Sequence, residues 1–339
     1  MKQPWMRIVS GGIFIFFIVS AHSLYTSAKE LSVLTFNVWM VKKLGQSISS
    51  KLEDERLPLI ADKIMELQPD IVAIQEIWSF GLRNKLIQLM KRDYPYSYHR
   101  NLWGMGDGML VLSKHPIVPG SEHTFADGTA IEEWQFITGI GVQKGVFRLT
   151  INVSGTDVDV FPFHLGAVYF SKEINDYDAS EVSGRHQQAN ELRDFVQEFR
   201  RNAIPTLVLG DLNSHFFDWD KDANTRVRNI SYEYRQMTEV LGLQDSYMTA
   251  NQIDLSKDPM ASLDLATFDT TKNIYAAKGF FGDLPKEFID YIFFAPGNNG
   301  MTLVSSKMVF TEKLNPNSDR RMPVHLSDHW GILSTFNLQ

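Results

Sequence analysis

The chain has 339 residues, 44% of them apolar and 22% charged, with a formal charge of −7 and no cysteine. That length can bury a sizeable core without disulfides, and the lack of cysteine excludes disulfides and thiolate zinc sites alike. The acidic balance lacks the broad basic field that nucleic-acid binders use to neutralise phosphates, which weighs against a nucleic-acid partner.

The N-terminus stands apart. Lys2 and Arg7 precede the apolar stretch Ile8–Ser20, interrupted only by Ser10, Gly11 and Gly12, and the small-residue segments Ala21-His22-Ser23 and Thr26-Ser27-Ala28 follow. This is the layout of a secretory signal peptide. The apolar run falls short of the about 20 residues that a membrane span needs. The expectation is a leader over residues 1–28, one domain over 29–339 and a secreted product, extracellular or periplasmic.

Next, Leu31–Trp39 has a strand pattern carrying Asn37. Glu53–Gln68 places Leu57, Ile60, Ala61, Ile64 and Leu67 at helical spacing, closed by Pro69. Ile71–Glu76 reads as a buried strand ending in a carboxylate. Leu82–Met90 reads as a helix, ended near Pro95. Gly108–Leu112 and Ile117–Val118 read as strands around the turn Lys114-His115-Pro116. Phe136–Val153 and Val158–His164 read as an antiparallel pair joined at Ser154-Gly155-Thr156. Val182–Arg200 is a long helix with Ala189, Leu192, Val196 and Phe199 on one face. Strand Thr206–Leu209 runs into Gly210-Asp211-Leu212-Asn213, where extended geometry would point Asp211 and Asn213 the same way. A helix near Tyr232–Leu241 follows. Strands Ile289–Phe294, Leu303–Phe310 and Gly331–Phe336 complete the pattern, the last preceded by Ser327-Asp328-His329. Strands and helices alternate but hairpins are frequent, which predicts mixed sheets covered by helices. The loops Val41–Leu52, Asp127–Gln135 and Asp254–Asp283 are long enough to recognise a substrate.

Six apolar segments thus deliver only Asn, Glu, Asp and His at or near their ends. Burying such groups costs free energy unless something satisfies them. A hard cation and a phosphate would do so. Asp and Asn are also ordinary turn formers, so each segment alone is open to that reading; together they point to one shared site.

Phe36-Asn37, Gln75-Glu76, Gly210-Asp211-Leu212-Asn213, Ile289-Asp290-Tyr291 and Ser327-Asp328-His329 occur in the order seen in the endonuclease/exonuclease/phosphatase superfamily, which the chain resembles from about residue 31 to 337. The resemblance implies an α/β (α+β) fold: a deoxyribonuclease I-like, four-layer sandwich of two mixed β-sheets flanked by helices. Finer features resemble the neutral sphingomyelinases: Phe36-Asn37-Val38-Trp39, Gln75-Glu76-Ile77-Trp78-Ser79, the Gly106–Pro116 stretch, Lys144-Gly145, and His164-Leu165-Gly166-Ala167-Val168-Tyr169 followed by Arg185, Gln188 and Glu191-Leu192. Gly166 departs from that group, where a polar residue is more usual.

What the resemblance implies is a phospholipase C-type phosphodiesterase cleaving sphingomyelin to ceramide and phosphocholine. A nuclease of the same fold is the alternative and a phosphoinositide phosphatase the third. The chemistry assigns Glu76 as metal ligand, with Asn37 as a neutral oxygen partner and Asp328 on the same ion directly or through water. Such an oxygen set suits Mg²⁺, with Mn²⁺ or Co²⁺ as substitutes. His329 is the expected general base, oriented by Asp290. Asp211 and Asn213 would position water and a phosphoryl oxygen, and His164 would donate on the leaving-group or phosphate side. The resemblance gives Lys144 a phosphate contact, and Asn273 either contacts substrate or shapes its loop; the substrate would be a choline sphingolipid in a membrane touched peripherally. Leu102, Trp103, Met105, Tyr169 and Phe170 are candidates for that lipid contact. Arg185, Gln188 and Glu191 read as structural.

Overall fold

The computed structural model describes residues 29–43, 46–47, 50–102, 106–126, 142–168, 170–171, 176–220, 225–257, 264–277, 286–298, 300–315 and 323–339. The expected leader over residues 1–28 lies outside them, as do Trp103, Met105, Tyr169 and the side chain of Phe170 among the candidate lipid contacts. Among the described residues no helix is long and apolar enough to cross a membrane.

Two six-stranded sheets form the centre. The first has the order Thr302–Val309, Gly331–Leu338, Lys29–Met40, Ile71–Ile77, Leu110–Ser113, Tyr96–Tyr98. The second has the order Gln244–Asp245, Asp290–Ala295, Thr206–Asp211, Thr156–His164, Gly145–Val153, Ile117–Thr124. Each holds one parallel pair in its middle: Lys29–Met40 beside Ile71–Ile77, and Thr156–His164 beside Thr206–Asp211. All other neighbours run antiparallel.

This topology places the site. The C-terminal ends of a parallel pair share an edge with the starts of its antiparallel neighbours. Asn37 and Glu76 lie near the ends of the first pair, and His164 and Asp211 end the second. Asp290 opens its strand opposite Asp211, Lys144 directly precedes Gly145–Val153, and His329 stands two residues before Gly331–Leu338. Residues far apart in the chain therefore meet at one edge.

Alternation along the strands separates two cores. Leu31, Val33, Ile71 and Ala73 pack between the sheets, in one cluster with Val160, Leu207, Leu209 and Ile292. Leu34, Phe36, Val38, Val72 and Ile74 pack outward on the helices Glu53–Leu67 and Phe80–Met90 through Leu57, Ile60, Ile64 and Leu86. Helix Ala179–Phe199 covers the second sheet with Ala189, Leu192, Phe195 and Val196. Each such side chain contributes about 1.5–3 kcal/mol on burial. Two of these helices begin where the sequence supplies oxygen: the Asp178 carboxylate accepts from the Ser180 and Glu181 amides, and Ser79 Oγ accepts from Leu82. The result is the expected four-layer, deoxyribonuclease I-like arrangement.

Several local expectations change. The strand expected over Phe136–Val153 begins at Gly145, with residues 136–141 outside the described set. The expected Tyr232–Leu241 helix is one short α segment, Tyr232–Arg235, followed by a wider π turn over Gln236–Val240. The hairpin Phe217–Asp220/Thr225–Ile230 was not foreseen, because its charged, alternating residues lack an apolar run. The strand bearing Asp211 stops there, and Asn213 takes a left-handed φ of 49°, so the extended-geometry argument for Asp211 and Asn213 fails. A turn joins them instead: Asp211 Oδ1 accepts from the Asn213 amide at 2.8 Å.

Candidate active site

Asn37 belongs to the face of its strand that looks between the sheets, following Leu31, Val33 and Thr35. Its Nδ2 donates to Asp211 Oδ2 at 2.9 Å, tying the two sheets together, while its Oδ1 accepts from the Trp39 amide at 3.0 Å. Glu76 needs a different device. Ile71, Ala73 and Gln75 face inward, so simple alternation would turn Glu76 outward with Ile74. Instead its backbone adopts a left-handed φ of 59°, bringing Oε1 within 3.7 Å of His164 Nε2. That conformation costs a non-glycine residue about 1–3 kcal/mol, and such strain is characteristic of functional positions.

His164 is fully buried. Its Nε2 lies 2.8 Å from Lys144 Nζ and 3.5 Å from Asp211 Oδ2. Lys144 can only donate to Nε2 and the Asp211 carboxylate can only accept from it, so the two compete for that nitrogen, while Nδ1 is buried with no hydrogen-bond partner among the described residues. Lys144 also donates to the Leu165 carbonyl at 2.7 Å, an oxygen that Asn213 Nδ2 shares at 3.0 Å. The ammonium is thereby held inside the site by the Leu165 carbonyl and beside His164. Opposite, the Asp290 carboxylate accepts from His329 Nδ1 at 2.9 Å with both side chains buried. This leaves His329 Nε2 as the basic nitrogen.

The charges set the proton affinities. Burial opposes the Asp211 carboxylate, but its bond to His164 and the charges of His329, His164 and Lys144 outweigh burial and hold it well below the usual range. Burial likewise opposes a charged His329, yet Asp290, Asp328 and Asp211 raise it well above the ordinary histidine value. Burial, then the neighbouring Lys144, lowers His164. Burial lowers Lys144 to about 8 against the pull of Glu76 and Asp211. Burial pushes Asp328 up to about 6, with His329 opposing and Glu76 reinforcing.

Among the described residues, two compact groups of carboxylate and imidazole atoms could hold a cation: Glu76, His164 and Asp211, and Asp211, Asp290 and His329. Asp328 is outside both, within electrostatic reach of Glu76. A cluster with this surplus of oxygen donors, two carboxyls raised by burial and mutual repulsion, fits a hard divalent ion. Asn273 is fully buried, with both polar side-chain atoms engaged by the chain. Its Nδ2 donates to the Ser327 carbonyl at 2.9 Å and its Oδ1 accepts from the Tyr275 amide at 2.9 Å, so it braces the segment bearing Asp328 and His329.

Sequence reasoning missed Arg100 and gave Arg185 a structural part without its partners. Arg100 forms a buried pair with Asp107 at 2.7 Å and donates to the carbonyls of His123 and Gln143, fixing the approach to Lys144. A Cβ on Gly145 would lie 2.2 Å from the His123 carbonyl and 2.6 Å from the Arg100 guanidinium, which is why glycine follows Lys144. Arg185 pairs with Glu233 at 2.7 Å and donates to the Asn213 carbonyl, so this residue, read as structural, holds a site residue in place. Gln188 accepts from the Gly166 amide at 2.7 Å, which binds the departing Gly166 through its backbone.

The sequence pattern of the Endonuclease/Exonuclease/phosphatase family matches residues 34–329. Sphingomyelin phosphodiesterase 2 of Mus musculus is 25% identical over 310 residues, covering 90% of this chain and 65% of that protein. The inositol phosphosphingolipids phospholipase C of Schizosaccharomyces pombe is 24% identical over 326 residues, covering 92% of this chain and 69% of that protein. The chain thus spans about two thirds of the length of these relatives. A mutant beta toxin of Staphylococcus aureus, crystallised with bound magnesium ions, shares the fold with a TM-score of 0.62 at 19% identity, over 90% of this chain and 99% of that one.

Proposed function

The chain belongs to the endonuclease/exonuclease/phosphatase family, and on that premise we propose that it is a Mg²⁺-dependent phosphodiesterase of phospholipase C type acting on sphingomyelin. The observation that carries the reading is the facing of two units across Asp211: the buried Asp290–His329 pair on one side, and Glu76, His164 and Lys144 on the other.

Glu76 and Asn37 would hold the ion, with Asp328 contributing directly or through water. A divalent ion supplies charge neutralisation for the phosphate oxygens. The chain's own groups do the rest. His329 Nε2 takes a proton from the attacking water while Asp290 fixes the ring and stabilises the imidazolium. Asp211 and Asn213 hold water and phosphate in line. The Lys144 ammonium, steadied by the Leu165 carbonyl, donates to a phosphoryl oxygen, and His164 beside it serves the leaving-group side. The bond from phosphorus to the ceramide oxygen breaks, the departing oxygen takes its proton from the Lys144–His164 unit, the proton held by His329 makes that one good through solvent, and ceramide and phosphocholine result.

Sphingomyelin as substrate is supported by the mouse relative. The fission-yeast relative favours a second reading, an inositol phosphosphingolipid cleaved at the same bond. The leader over residues 1–28 supports secretion. The test incubates purified protein, with Mg²⁺ or EDTA, with sphingomyelin liposomes, an inositol phosphosphingolipid, a phosphoinositide and plasmid DNA. Metal-dependent phosphocholine release supports the first reading. Cleavage of the inositol lipid alone supports the second, and DNA nicking without lipid hydrolysis overturns both.

A further inference from the structure

The hydrogen-bond ladder between the strands Lys29–Met40 and Gly331–Leu338 ends at the pair Thr35–Ile332. Asn37 and the Asp328-His329 segment lie beyond that end, on backbones that the sheet no longer joins. One buried side chain from helix Glu53–Leu67 bridges them. Arg56 Nη1 donates to the Val38 carbonyl at 2.8 Å and to the Leu326 carbonyl at 2.6 Å. Its Nη2 donates to the Trp39 carbonyl at 2.6 Å and its Nε to the Lys51 carbonyl at 2.7 Å. The guanidinium lies 5.6 Å from the Trp39 ring centre and 5.5 Å from that of Tyr275. Trp39 is the residue whose amide fixes Asn37 Oδ1, and Tyr275 is the residue whose amide fixes Asn273, the brace on Ser327.

We propose that Arg56 is a positioning residue for the metal site, clamping the backbone that carries Asn37 to the backbone that carries Asp328 and His329. The inference rests on the metal-dependent reading of the site. A full charge buried among carbonyls is an expensive way to stabilise a helix. Its value lies in the planar fork, which fixes several acceptors at set angles. A lysine keeps the charge but has one nitrogen and cannot reproduce four bonds from three atoms. Partners that orient metal ligands typically govern affinity by about 10–100-fold.

The test measures Mn²⁺ binding by electron paramagnetic resonance without substrate, beside turnover of sphingomyelin. Arg56→Lys is expected to lose about 10–100-fold in Mn²⁺ affinity with secondary structure retained. Asn273→Ala, which releases the same segment at Ser327, should weaken Mn²⁺ in the same direction and serves if Arg56→Lys does not fold. Arg201→Ala is the control. It unpins Asp159 at the far end of the Thr156–His164 strand and should keep wild-type Mn²⁺ affinity. Wild-type affinity in either site variant, an equal loss in Arg201→Ala, or no Mn²⁺ binding by the wild-type protein overturns the proposal. If no phosphodiester is cleaved but Arg56→Lys still loses Mn²⁺, the functional reading falls and the clamp stands.

Discussion

Replacing Asp290 by asparagine tests the catalytic reading most directly. The carboxylate meets His329 Nδ1 at 2.9 Å, both side chains are buried, and Asp290 is the strongest of the acids that raise His329. At that separation and an effective dielectric of about 20, the attraction to an imidazolium is about 5–6 kcal/mol. Removing one member of such a buried pair costs about 3–5 kcal/mol. The imidazolium forms as the base takes its proton, so most of this loss falls on the transition state. Each 1.4 kcal/mol is tenfold, giving an expected drop of about 10²–10⁴ in kcat/KM. The direction of the pH profile follows. A base raised by its neighbours works only after losing its proton, so kcat/KM climbs with pH through the His329 transition. Asp290→Asn should move that limb to lower pH. The assay is phosphocholine release from mixed micelles at fixed Mg²⁺ between pH 5.5 and 9.5 (an about four-unit sweep around His329), with urea unfolding alongside. Turnover within about tenfold of wild type, or a limb that moves toward higher pH, would falsify the assignment.

Glu76→Gln removes the strained carboxylate but keeps its size, so Mg²⁺ activation should weaken by at least about 10-fold while the unfolding midpoint changes little. EDTA should silence the wild-type protein, with activity restored by Mg²⁺; activity that survives chelation contradicts the metal reading. Asp245 offers a stability test remote from the site. Burial raises its carboxyl to about 6, whereas the unfolded value is near 3.8. The folded state therefore prefers the proton: the penalty is absent below the unfolded value, grows as pH rises through about 6, and then levels at about 3 kcal/mol. Asp245→Asn should stabilise the protein at pH 8 and much less at pH 4.5, as read from urea midpoints, and the reverse order refutes this. Gly210→Ala puts a Cβ 1.9 Å from the Phe163 carbonyl on a backbone at φ 153°, so it should cost more than about 3 kcal/mol. Soluble Gly210→Ala protein with an unchanged melting temperature would show that the strands bearing Asp211 and His164 can separate freely.

The fold was readable where burial wrote a period into the chain. Leu57, Ile60, Ala61 and Ile64 announce a helix with one covered face, and that face is the buried one. Ile71–Glu76 announces a strand covered on both sides, which holds down to Gln75. Reading fails where local patterns are weak. The Tyr96–Tyr98 strand, with polar and exposed residues at a sheet edge, has no apolar run to display. Asn213 shows the same limit for the site. Its spacing from Asp211 suggested shared extended geometry, but Gly210 and the left-handed Asn213 bring the two together by a turn.

Residue chemistry at strand ends was legible because carboxylates, amides and imidazoles closing apolar runs are anomalous there. The supports were harder to see, since Arg100, Arg185 and Arg56 bind backbone carbonyls that carry no sequence signature. Arg56 nevertheless left one trace. It falls on the helix stripe defined by Leu57, Ile60 and Ile64, at a position where a charged side chain must either reach solvent or find acceptors. On the solvent side it would need only water. On the covered side it must meet oxygens, and the oxygens within reach are those of strands whose ladder has ended. A charged residue on the buried face of a helix that crosses strand ends is therefore evidence that those ends need holding, and here they carry Asn37 and Asp328.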